Sequence, residues 1–456
     1  MDEVTKDMIE KYLLVRACYG INIHSDAHGE YGTVLESNEI YPDLSLITAA
    51  TILNEASGFE VEIIDAPIED DLLPDKLLEK IKGTIFDKLI LKTTAASVRS
   101  DLELIRQIKE IFPDRYLMLA GHAAMSLADW IRKNSDADEV ITEPVDEYVY
   151  RAVYGREATM DQMPTPDYTL VDYRRYKDNS GNIRLSLKSG RGCPMGCSYC
   201  PYIRYYDSYK TRSVDKVIED MKVLVSLGAD IIQFRDQFFT CDKERTKKIC
   251  ERIIEEKISV RWIIETRITS LDEELIALLK KAGLFLVCFG VEAGSKEILV
   301  EYNSFKGDPD IQKKNIDLLN SQGILTMAFY IIGFPEDTWE TVTETYRFAR
   351  YINSSIVAFN EYMDFDLPAG SGPEVFGSFE NSTNTGRSFI LDRDKVRYAR
   401  DLFSGLYTME HDSLGKAYEY NHLLANENRL KVSRLKECED DLIRMSQVIR
   451  ETRSGI

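Results

Sequence analysis

The sequence lacks any apolar run of the ~18 residues that a helix needs to cross a bilayer. Its first residues, MDEVTKDMIEKYLL, also lack the basic-then-apolar order of a signal peptide. Positive charge is scarce, since 57 Lys and Arg stand against 77 Asp and Glu for a net charge of −20. Such a surface repels phosphate backbones. We therefore expect a cytoplasmic protein with neither a membrane nor a nucleic acid as its partner.

Cysteine is also sparse, with eight residues in a chain of 456. A secreted disulfide scaffold would be short and rich in cysteine, so that class is excluded. Three of the eight nevertheless crowd into one segment, as Cys193, Cys197 and Cys200. In a long chain such a tight group indicates metal or redox chemistry. The others are scattered, and Cys250 and Cys288, on an apolar helix face and within a strand, are interpreted as packing residues.

The first 153 residues alternate short apolar strands with amphipathic helices. The predicted strands are Leu13–Ala17, Phe59–Ile64, Lys88–Lys92, Tyr116–Leu119 and Glu139–Ile141. Apolar residues between them recur at helical spacing, for example Leu102, Ile105 and Ile108. The pattern predicts an α/β fold, a doubly wound Rossmann-like parallel sheet over residues 1–153 that binds ligands at the carboxyl ends of its strands. Residues 154–180, with their prolines and weak periodicity, are predicted to be a linker.

A second series of strands and helices occupies residues 181–362. It contains six strand–helix units, too few to close an eight-stranded barrel. We therefore expect an open, partial (β/α)6 barrel with its site at the carboxyl ends of the strands. Residues 363–456 begin with a polar loop and are then mainly helical. We expect this C-terminal region to cover the barrel mouth and to select the substrate.

The three clustered cysteines lie in the segment SGRGCPMGCSYCP, just after the first strand of the second series. Three thiolates can hold three irons of a cubane cluster, and a cluster held by protein alone would need a fourth cysteine. None lies nearby, so the fourth iron should be open to an outside ligand. Gly192 and Gly196 would let the loop wrap closely around the cluster. A zinc site would require a second Cys or His pair, which the sequence does not offer.

The spacing Cys-x3-Cys-x-aromatic-Cys after a first barrel strand resembles the radical S-adenosylmethionine superfamily. The resemblance covers nearly all of residues 185–375, including RSVDKVIEDMKVL, RWIIETRI, FGVEAGS, AFYIIGFPEDTWE and LPAGSGPEVF. It implies a [4Fe–4S] cluster on Cys193, Cys197 and Cys200, with S-adenosylmethionine bound at the open iron. It also implies reductive cleavage of S-adenosylmethionine to a 5′-deoxyadenosyl radical. An electron donor such as flavodoxin or ferredoxin is then expected as a partner.

The same resemblance implies a set of residues that contact S-adenosylmethionine: Tyr199, Glu265, Arg267, Glu292, Ser295, Ile332 and Gly333. Tyr199 should lie beside the adenine, and the backbone at the end of the fifth strand should flank it. Glu265 and Arg267, which end the third strand, should meet the ribose and the carboxylate. The alternatives are structural: Arg267 could simply pair with Glu265, and Glu292 could be a surface carboxylate.

The N-terminal domain and linker resemble the cobalamin-binding domain that precedes some radical domains, in segments such as KLILKTTAAS, LMLAGHAA and MPTPDYTLVDYRRY. Small residues follow two neighbouring strands, at positions 93–96 and at 121, 123 and 124, and would leave a slot for the nucleotide tail of cobalamin. The residues expected to contact cobalamin there are Thr93, Thr94, Ala95, Gly121, His122 and Ala123. Tight βα turns favour small residues as well, which is the alternative reading. The chain departs from the family where Gly-Gly is replaced by Gly121-His122. The Asp-x-His-x-x-Gly signature is absent, because residues 26–32 are one residue too long, so no histidine ligand to cobalt is expected.

Two functions follow from these resemblances. The first is cobalamin-dependent C-methylation of a small molecule or peptide. The alternative is radical cyclisation, rearrangement or oxidation without methyl transfer, with cobalamin absent or auxiliary. Methylthio transfer to tRNA fits poorly, because the N-terminal domain holds only Cys18 and could not carry the second cluster that such enzymes need. A corrinoid carrier without turnover is disfavoured by the complete cluster motif.

Overall fold

The computed structural model describes residues 9–26, 33–35, 39–69, 72–178, 180–206, 208–304, 306–365, 370–372, 390–391 and 393–410. Most of the segment 26–32 and most of the predicted C-terminal region 363–456 lie outside the described residues. Within those ranges no helix combines the length and the apolarity needed to cross a bilayer.

The N-terminal part of the described chain is built on a parallel sheet of five strands. In chain order the strands here are β1 (Glu10–Arg16), the antiparallel pair β2 (Asn22–His24) and β3 (Thr33–Leu35), then β4 (Phe59–Asp65), β5 (Lys88–Lys92), β6 (Tyr116–Ala120) and β7 (Glu139–Val140). The sheet has the spatial order β4-β1-β5-β6-β7. Its helices are Leu44–Glu55, Pro74–Gly83, Val98–Ile111, His122–Ser126, Ala128–Asn134 and Val145–Tyr154. The predicted doubly wound sheet is confirmed, whereas the β2–β3 pair was not predicted.

Side-chain periodicity explains why these segments form helices. In the helix Val98–Ile111 the residues Leu102, Ile105 and Ile108 are buried against the sheet, and the charged residues between them face outward. The helix Leu44–Glu55 begins where Asp43 accepts a hydrogen bond from the backbone N–H of Leu46 at 3.0 Å. Ten of its residues, Leu44 to Leu53, are buried, because the helix lies between its own sheet and the rest of the chain.

The second described sheet has six parallel strands. Its strands are β8 (Arg184–Leu187), β11 (Ile231–Phe234), β12 (Arg261–Thr266), β13 (Leu284–Glu292), β14 (Leu325–Ile332) and β15 (Ile356–Glu361). A separate antiparallel pair, β9 (Gly190–Arg191) and β10 (Lys210–Thr211), lies between β8 and β11 in the sequence. The spatial order β15-β14-β13-β12-β11-β8 is sequential, and the end strands are not paired with each other. The predicted open, six-unit partial barrel is confirmed. Its helices are Tyr202–Tyr205, Val214–Ser226, Lys243–Glu255, Glu273–Lys281, Lys296–Glu301, Pro309–Ser321 and Trp339–Ile352.

Alternation along the barrel strands separates an outer core from an inner lumen. Ile232 and Phe234 of β11 pack outward into the large cluster formed with the helices. Ile231, on the opposite face of the same strand, packs in a second cluster with residues of the neighbouring strands. The last helix described, Arg393–Glu410, packs on the outer side, where the Tyr407 hydroxyl donates to the Ser354 carbonyl at 2.7 Å.

Buried polar contacts join the two sheets. Arg184, the first residue of β8, pairs with Glu39 at 2.7 Å, and both side chains are 2% exposed. Arg235, just after β11, donates to the Asp26 carbonyl at 3.1 Å. The Tyr176 hydroxyl, from the predicted linker, donates to the Asp65 carboxylate at the end of β4. Because an unpaired buried charge is costly, these contacts fix the orientation of one sheet against the other.

Candidate active site

The loop Cys193–Cys200 follows β9 and lies at the carboxyl end of the barrel strands. Cys197 is buried, and Cys193 and Cys200 are half-buried. The loop turns back on itself where the Cys200 N–H donates to the Cys197 carbonyl at 3.0 Å. Burial raises the pKa of Cys193, and it raises the pKa of Cys200 to about 12, with the other thiols of the loop adding to both effects. A cation beside Cys193 and Cys200 would favour their thiolate forms, and iron would provide that charge.

The described residues contain no group of three Cys, His, Asp or Glu side chains that converge on a single ion. A cubane cluster does not need such a group, because each cysteine binds a different iron. Two glycines shape the loop. Gly192 has φ +75°, and a Cβ there would lie 2.4 Å from the Ser208 carbonyl oxygen. Gly192 therefore excludes larger residues, whereas a Cβ at Gly196 would lie 2.9 Å from Asn303 Nδ2 and would displace that side chain. The donor set and the close backbone packing fit a [4Fe–4S] cluster.

Two buried side chains anchor the start of the cluster loop. The Asp236 carboxylate, just after β11, accepts from the Ser189 N–H at 2.7 Å and from the Ser189 hydroxyl at 2.6 Å. Arg245 donates to the Ser189 carbonyl at 2.8 Å and to the Arg212 carbonyl at 3.0 Å. These contacts join β8 to the neighbouring unit of the barrel and set the direction in which the loop leaves the sheet. Sequence reasoning missed both anchors.

The far side of the loop is held by the segment after the helix Lys296–Glu301. The Ser198 N–H donates to the Tyr302 carbonyl at 3.0 Å. The Asn303 side-chain amide donates to the Gly196 carbonyl at 2.8 Å. The cluster loop is therefore fixed at both ends by the barrel itself, although no residue of this segment was predicted to take part in the site.

Tyr199 and Glu292, both predicted to contact S-adenosylmethionine, are joined by Lys306. The Lys306 ammonium lies 3.1 Å from a Glu292 carboxylate oxygen and donates to the Tyr199 hydroxyl at 3.3 Å. The side chains of Lys306 and Glu292 are each only 10% exposed, so Glu292 is not a surface carboxylate. Glu292 has φ +70°, an uncommon backbone conformation for a residue with a side chain. The Tyr199 hydroxyl also shares a hydrogen bond with the Ser304 hydroxyl at 3.0 Å.

Glu265 and Arg267 lie at the carboxyl end of β12, as predicted. The partner of Glu265 is Arg235 on the neighbouring strand unit, at 3.5 Å. Burial raises the pKa of Glu265, and the Arg235 guanidinium opposes that rise. Arg267 is half-buried and lies close enough to the cluster loop to lower the pKa of Cys193. The strand end therefore presents a carboxylate and a cation beside the loop.

Three further residues predicted to contact S-adenosylmethionine make structural contacts within the described chain. The Ser295 hydroxyl accepts from the Ile298 N–H at 3.4 Å and so caps the helix Lys296–Glu301. Ile332 points outward into the helix-packed core and can meet a ligand only through its backbone. The Gly333 N–H donates to the Asp337 carboxylate at 2.8 Å, which leaves its carbonyl for any contact with adenine.

The predicted cobalamin slot lies at the carboxyl ends of β5 and β6, and its residues are buried. Gly121 has φ +110°, and a Cβ there would lie 2.4 Å from the Thr93 carbonyl oxygen. The close approach of the two strand ends therefore requires glycine with or without a ligand. The His122 ring lies 4.7 Å from the Tyr205 ring, which follows the cluster loop. The strand ends thus face the barrel on the side of the cluster.

The remaining slot residues pack within the N-terminal domain. Ala95 and Ala123 belong to an apolar cluster that also takes in Phe365, from beyond β15. Thr94 shares a hydrogen bond with the Ser97 hydroxyl at 2.9 Å. Next to them the Tyr19 hydroxyl donates to Asp101 at 2.5 Å, and burial raises the pKa of Asp101 to about 6. The slot therefore combines small apolar side chains with a buried polar group.

Comparison with known proteins agrees with this geometry. The family model of the radical SAM superfamily matches residues 187–349. The chain is 29% identical over 406 residues to the anaerobic magnesium-protoporphyrin IX monomethyl ester cyclase of Rubrivivax gelatinosus, covering 76% of this chain and 71% of that protein. It is 30% identical over 205 residues to an uncharacterized methyltransferase of Pyrococcus horikoshii, covering 44% of each chain.

Solved structures resemble this chain in fold. The radical S-adenosylmethionine methyltransferase TsrM of Kitasatospora setae, with cobalamin and a [4Fe–4S] cluster bound, has a TM-score of 0.60 at 18% identity over 78% of this chain and 75% of that chain. The cobalamin-dependent radical enzyme OxsB has a TM-score of 0.65 at 15% identity over 98% of this chain and 75% of that chain. Residues 187–349 therefore form a radical S-adenosylmethionine domain, and the chain is an enzyme that uses S-adenosylmethionine and a [4Fe–4S] cluster.

Proposed function

We propose that the enzyme transfers a methyl group to an unactivated carbon of a small molecule or peptide in a cobalamin-dependent radical reaction. The observation that carries the proposal is the contact between the strand ends of the N-terminal sheet and the segment after the cluster loop, where His122 lies against Tyr205. A methyl donor held at those strand ends would face the site of radical formation. The fold is shared with TsrM and OxsB, which are cobalamin-dependent. Relatives also include a hopanoid C-3 methylase and a bacteriochlorophyllide methyltransferase.

The cofactors supply the difficult chemistry: the cluster provides an electron to S-adenosylmethionine, and cobalamin provides the methyl group. The protein holds and orients them. Cys193, Cys197 and Cys200 would bind the cluster. Glu265 and Arg267 would meet the ribose and the carboxylate of S-adenosylmethionine, while the residues around Tyr199 would enclose the adenine.

The strand ends of the N-terminal sheet would flank the nucleotide tail of cobalamin through Thr93, Thr94, Ala95, Gly121, His122 and Ala123. Radical SAM enzymes need a reductant, and for this chain we propose flavodoxin or ferredoxin. A nucleic-acid substrate is not proposed, because the net charge of −20 disfavours binding to phosphate backbones.

A second candidate function is radical cyclisation or oxidation without methyl transfer. It is favoured by the similarity to the magnesium-protoporphyrin cyclase, which extends over 76% of this chain. The two candidates share the cluster and the cleavage of S-adenosylmethionine. They differ in whether a methyl group passes through cobalamin.

The test is equilibrium binding of hydroxocobalamin to the anaerobically reconstituted enzyme, followed by reduction in the presence of S-adenosylmethionine with a deuterated methyl group. We expect one cobalamin per chain and recovery of the labelled methyl in the cobalamin fraction. Gly121→Leu is a poor blocking variant, because the strand ends need glycine there on their own account. Failure of the wild-type enzyme to bind cobalamin would refute methyl transfer and favour the second candidate.

A further inference from the structure

The strand β14 contributes an apolar wall to the lumen of the open barrel. Residues of β14 alternate between half-buried and buried along the whole strand. The buried ones, such as Ala328 and Tyr330, pack outward against the helices. The half-buried ones face the lumen: Leu325, Met327, Phe329 and Ile331. The interior of a closed barrel is filled with side chains, whereas these four apolar side chains keep part of their surface uncovered.

This apolar wall connects the floor of the lumen with the cluster loop. At the floor, Met327 and Phe329 pack against the cluster that includes Ile231 and Cys288. At the top, Ile331 packs against the same aromatic group as Tyr199. A molecule lying on this wall would therefore reach from the middle of the barrel to the residues beside the cluster loop.

The opposite wall, on β11 and β12, is apolar at the floor, where Ile231 and Ile263 lie, and becomes polar toward the carboxyl ends of these strands. Arg235 is held by Glu265 at 3.5 Å and by the Asp26 carbonyl at 3.1 Å. Gln233 lies two residues before Arg235 on the lumen face of β11 and is only 7% exposed. Its side-chain oxygen has no hydrogen-bond partner among the described residues. A buried acceptor without a partner is uncommon in native proteins and calls for a donor from outside the chain.

We propose that the lumen binds the substrate of the reaction proposed above, and that this substrate combines an apolar body with an N–H or O–H group. The apolar body lies on Met327, Phe329 and Ile331, and the polar group donates a hydrogen bond to Gln233 Oε1. The polar wall favours a donor over an anion. The Gln233 oxygen is an acceptor, Glu265 carries a negative charge, and the Arg235 guanidinium already has two acceptors. This inference rests on the proposed function and adds the chemical class of the substrate.

Two fluorescent probes test the inference on the reconstituted enzyme. N-phenyl-1-naphthylamine has an apolar body and an N–H donor, and its N-methyl derivative has the same body without the donor. We expect N-phenyl-1-naphthylamine to bind saturably at one site. Gln233→Met keeps the length of the side chain and removes the acceptor. It should therefore weaken the binding of N-phenyl-1-naphthylamine about five-fold and leave the binding of the N-methyl derivative unchanged.

Phe329→Ala should weaken the binding of both probes about ten-fold or more, because it removes part of the apolar wall. The matched control is Phe348→Ala, which truncates a half-buried phenylalanine on the helix Trp339–Ile352, outside the lumen. Thermal unfolding checks that Phe329→Ala folds, and Phe329→Leu serves as a milder second variant. The inference is overturned if the wild type shows no saturable binding, if Phe348→Ala weakens the probes equally, or if Gln233→Met affects both probes alike. Binding of hydroxocobalamin and recovery of the labelled methyl group in the cobalamin fraction, with the same preparations, test the proposed function separately.

Discussion

Replacing Lys306 by Met should destabilise the barrel, because it leaves the Glu292 carboxylate without its cation. The pair is separated by 3.1 Å, and each side chain is 10% exposed. Exposed ion pairs contribute about 0–1 kcal/mol, whereas breaking a buried pair costs about 3–5 kcal/mol. At this burial we expect a loss of about 3 kcal/mol. For a unit the size of the barrel that loss lowers the midpoint of thermal unfolding by about 6–12 °C.

The assay is thermal unfolding of the cluster-free chain, followed by circular dichroism, for Lys306→Met, Glu292→Gln and the double variant. We expect a coupling energy of about 2 kcal/mol between the two positions. Lys306→Arg should recover most of the stability. The control is Lys314→Met, an exposed position on the helix Pro309–Ser321, which should change stability by less than about 0.5 kcal/mol.

Additive effects of Lys306→Met and Glu292→Gln would refute this reasoning, since the two side chains would then act independently. A loss of stability in Lys306→Met that is no larger than the loss in Lys314→Met would also refute it. Either result would show that Lys306 does not hold Glu292 in place through the ion pair.

Further predictions concern three other groups. Burial gives Asp101 a pKa of about 6 against a usual 3.8. The folded chain therefore holds a proton that the unfolded chain has lost, and stability should fall by about 3 kcal/mol as pH rises from about 4 to 6. Chemical denaturation across this window should show no such loss for Asp101→Asn, and equal losses would contradict the assignment. Asp236→Ala, which frees Ser189 at the base of the cluster loop, should speed the loss of iron to a chelator. Arg267→Ala should raise the Kd for S-adenosylmethionine while the iron content stays the same, and an unchanged Kd would give Arg267 a structural role only.

The cluster loop and both sheets could be predicted because their signals are local. Cysteine spacing, the glycines at 192 and 196, and alternation of apolar residues all operate within a few positions of the chain. Side-chain direction at the end of β14 was harder to predict, because Ile331 and Ile332 are identical residues on opposite faces. Only the packing shows that Ile331 faces the lumen and Ile332 the helices.

The contacts that hold the site could not be predicted, because they join residues that are far apart in sequence. Lys306 is 107 positions from Tyr199, and Asp236 is 47 positions from Ser189. No local sequence pattern marks the lysine at position 306 or the aspartate at position 236 as part of the site. Ser295 does have a local signal, because a serine directly before a helix commonly caps its N-terminus. In the structure Ser295 caps the helix Lys296–Glu301.

The most direct test of the central claim is the formation of 5′-deoxyadenosine by the reduced, anaerobically reconstituted enzyme with S-adenosylmethionine. We expect the wild type to carry four irons and four sulfides per chain and to release 5′-deoxyadenosine. Replacing Cys193, Cys197 and Cys200 together by Ala should abolish both the cluster and the product. Replacing Cys250, a buried packing residue, should leave both in place. A full cluster, or continued formation of 5′-deoxyadenosine, in the triple variant would contradict the account.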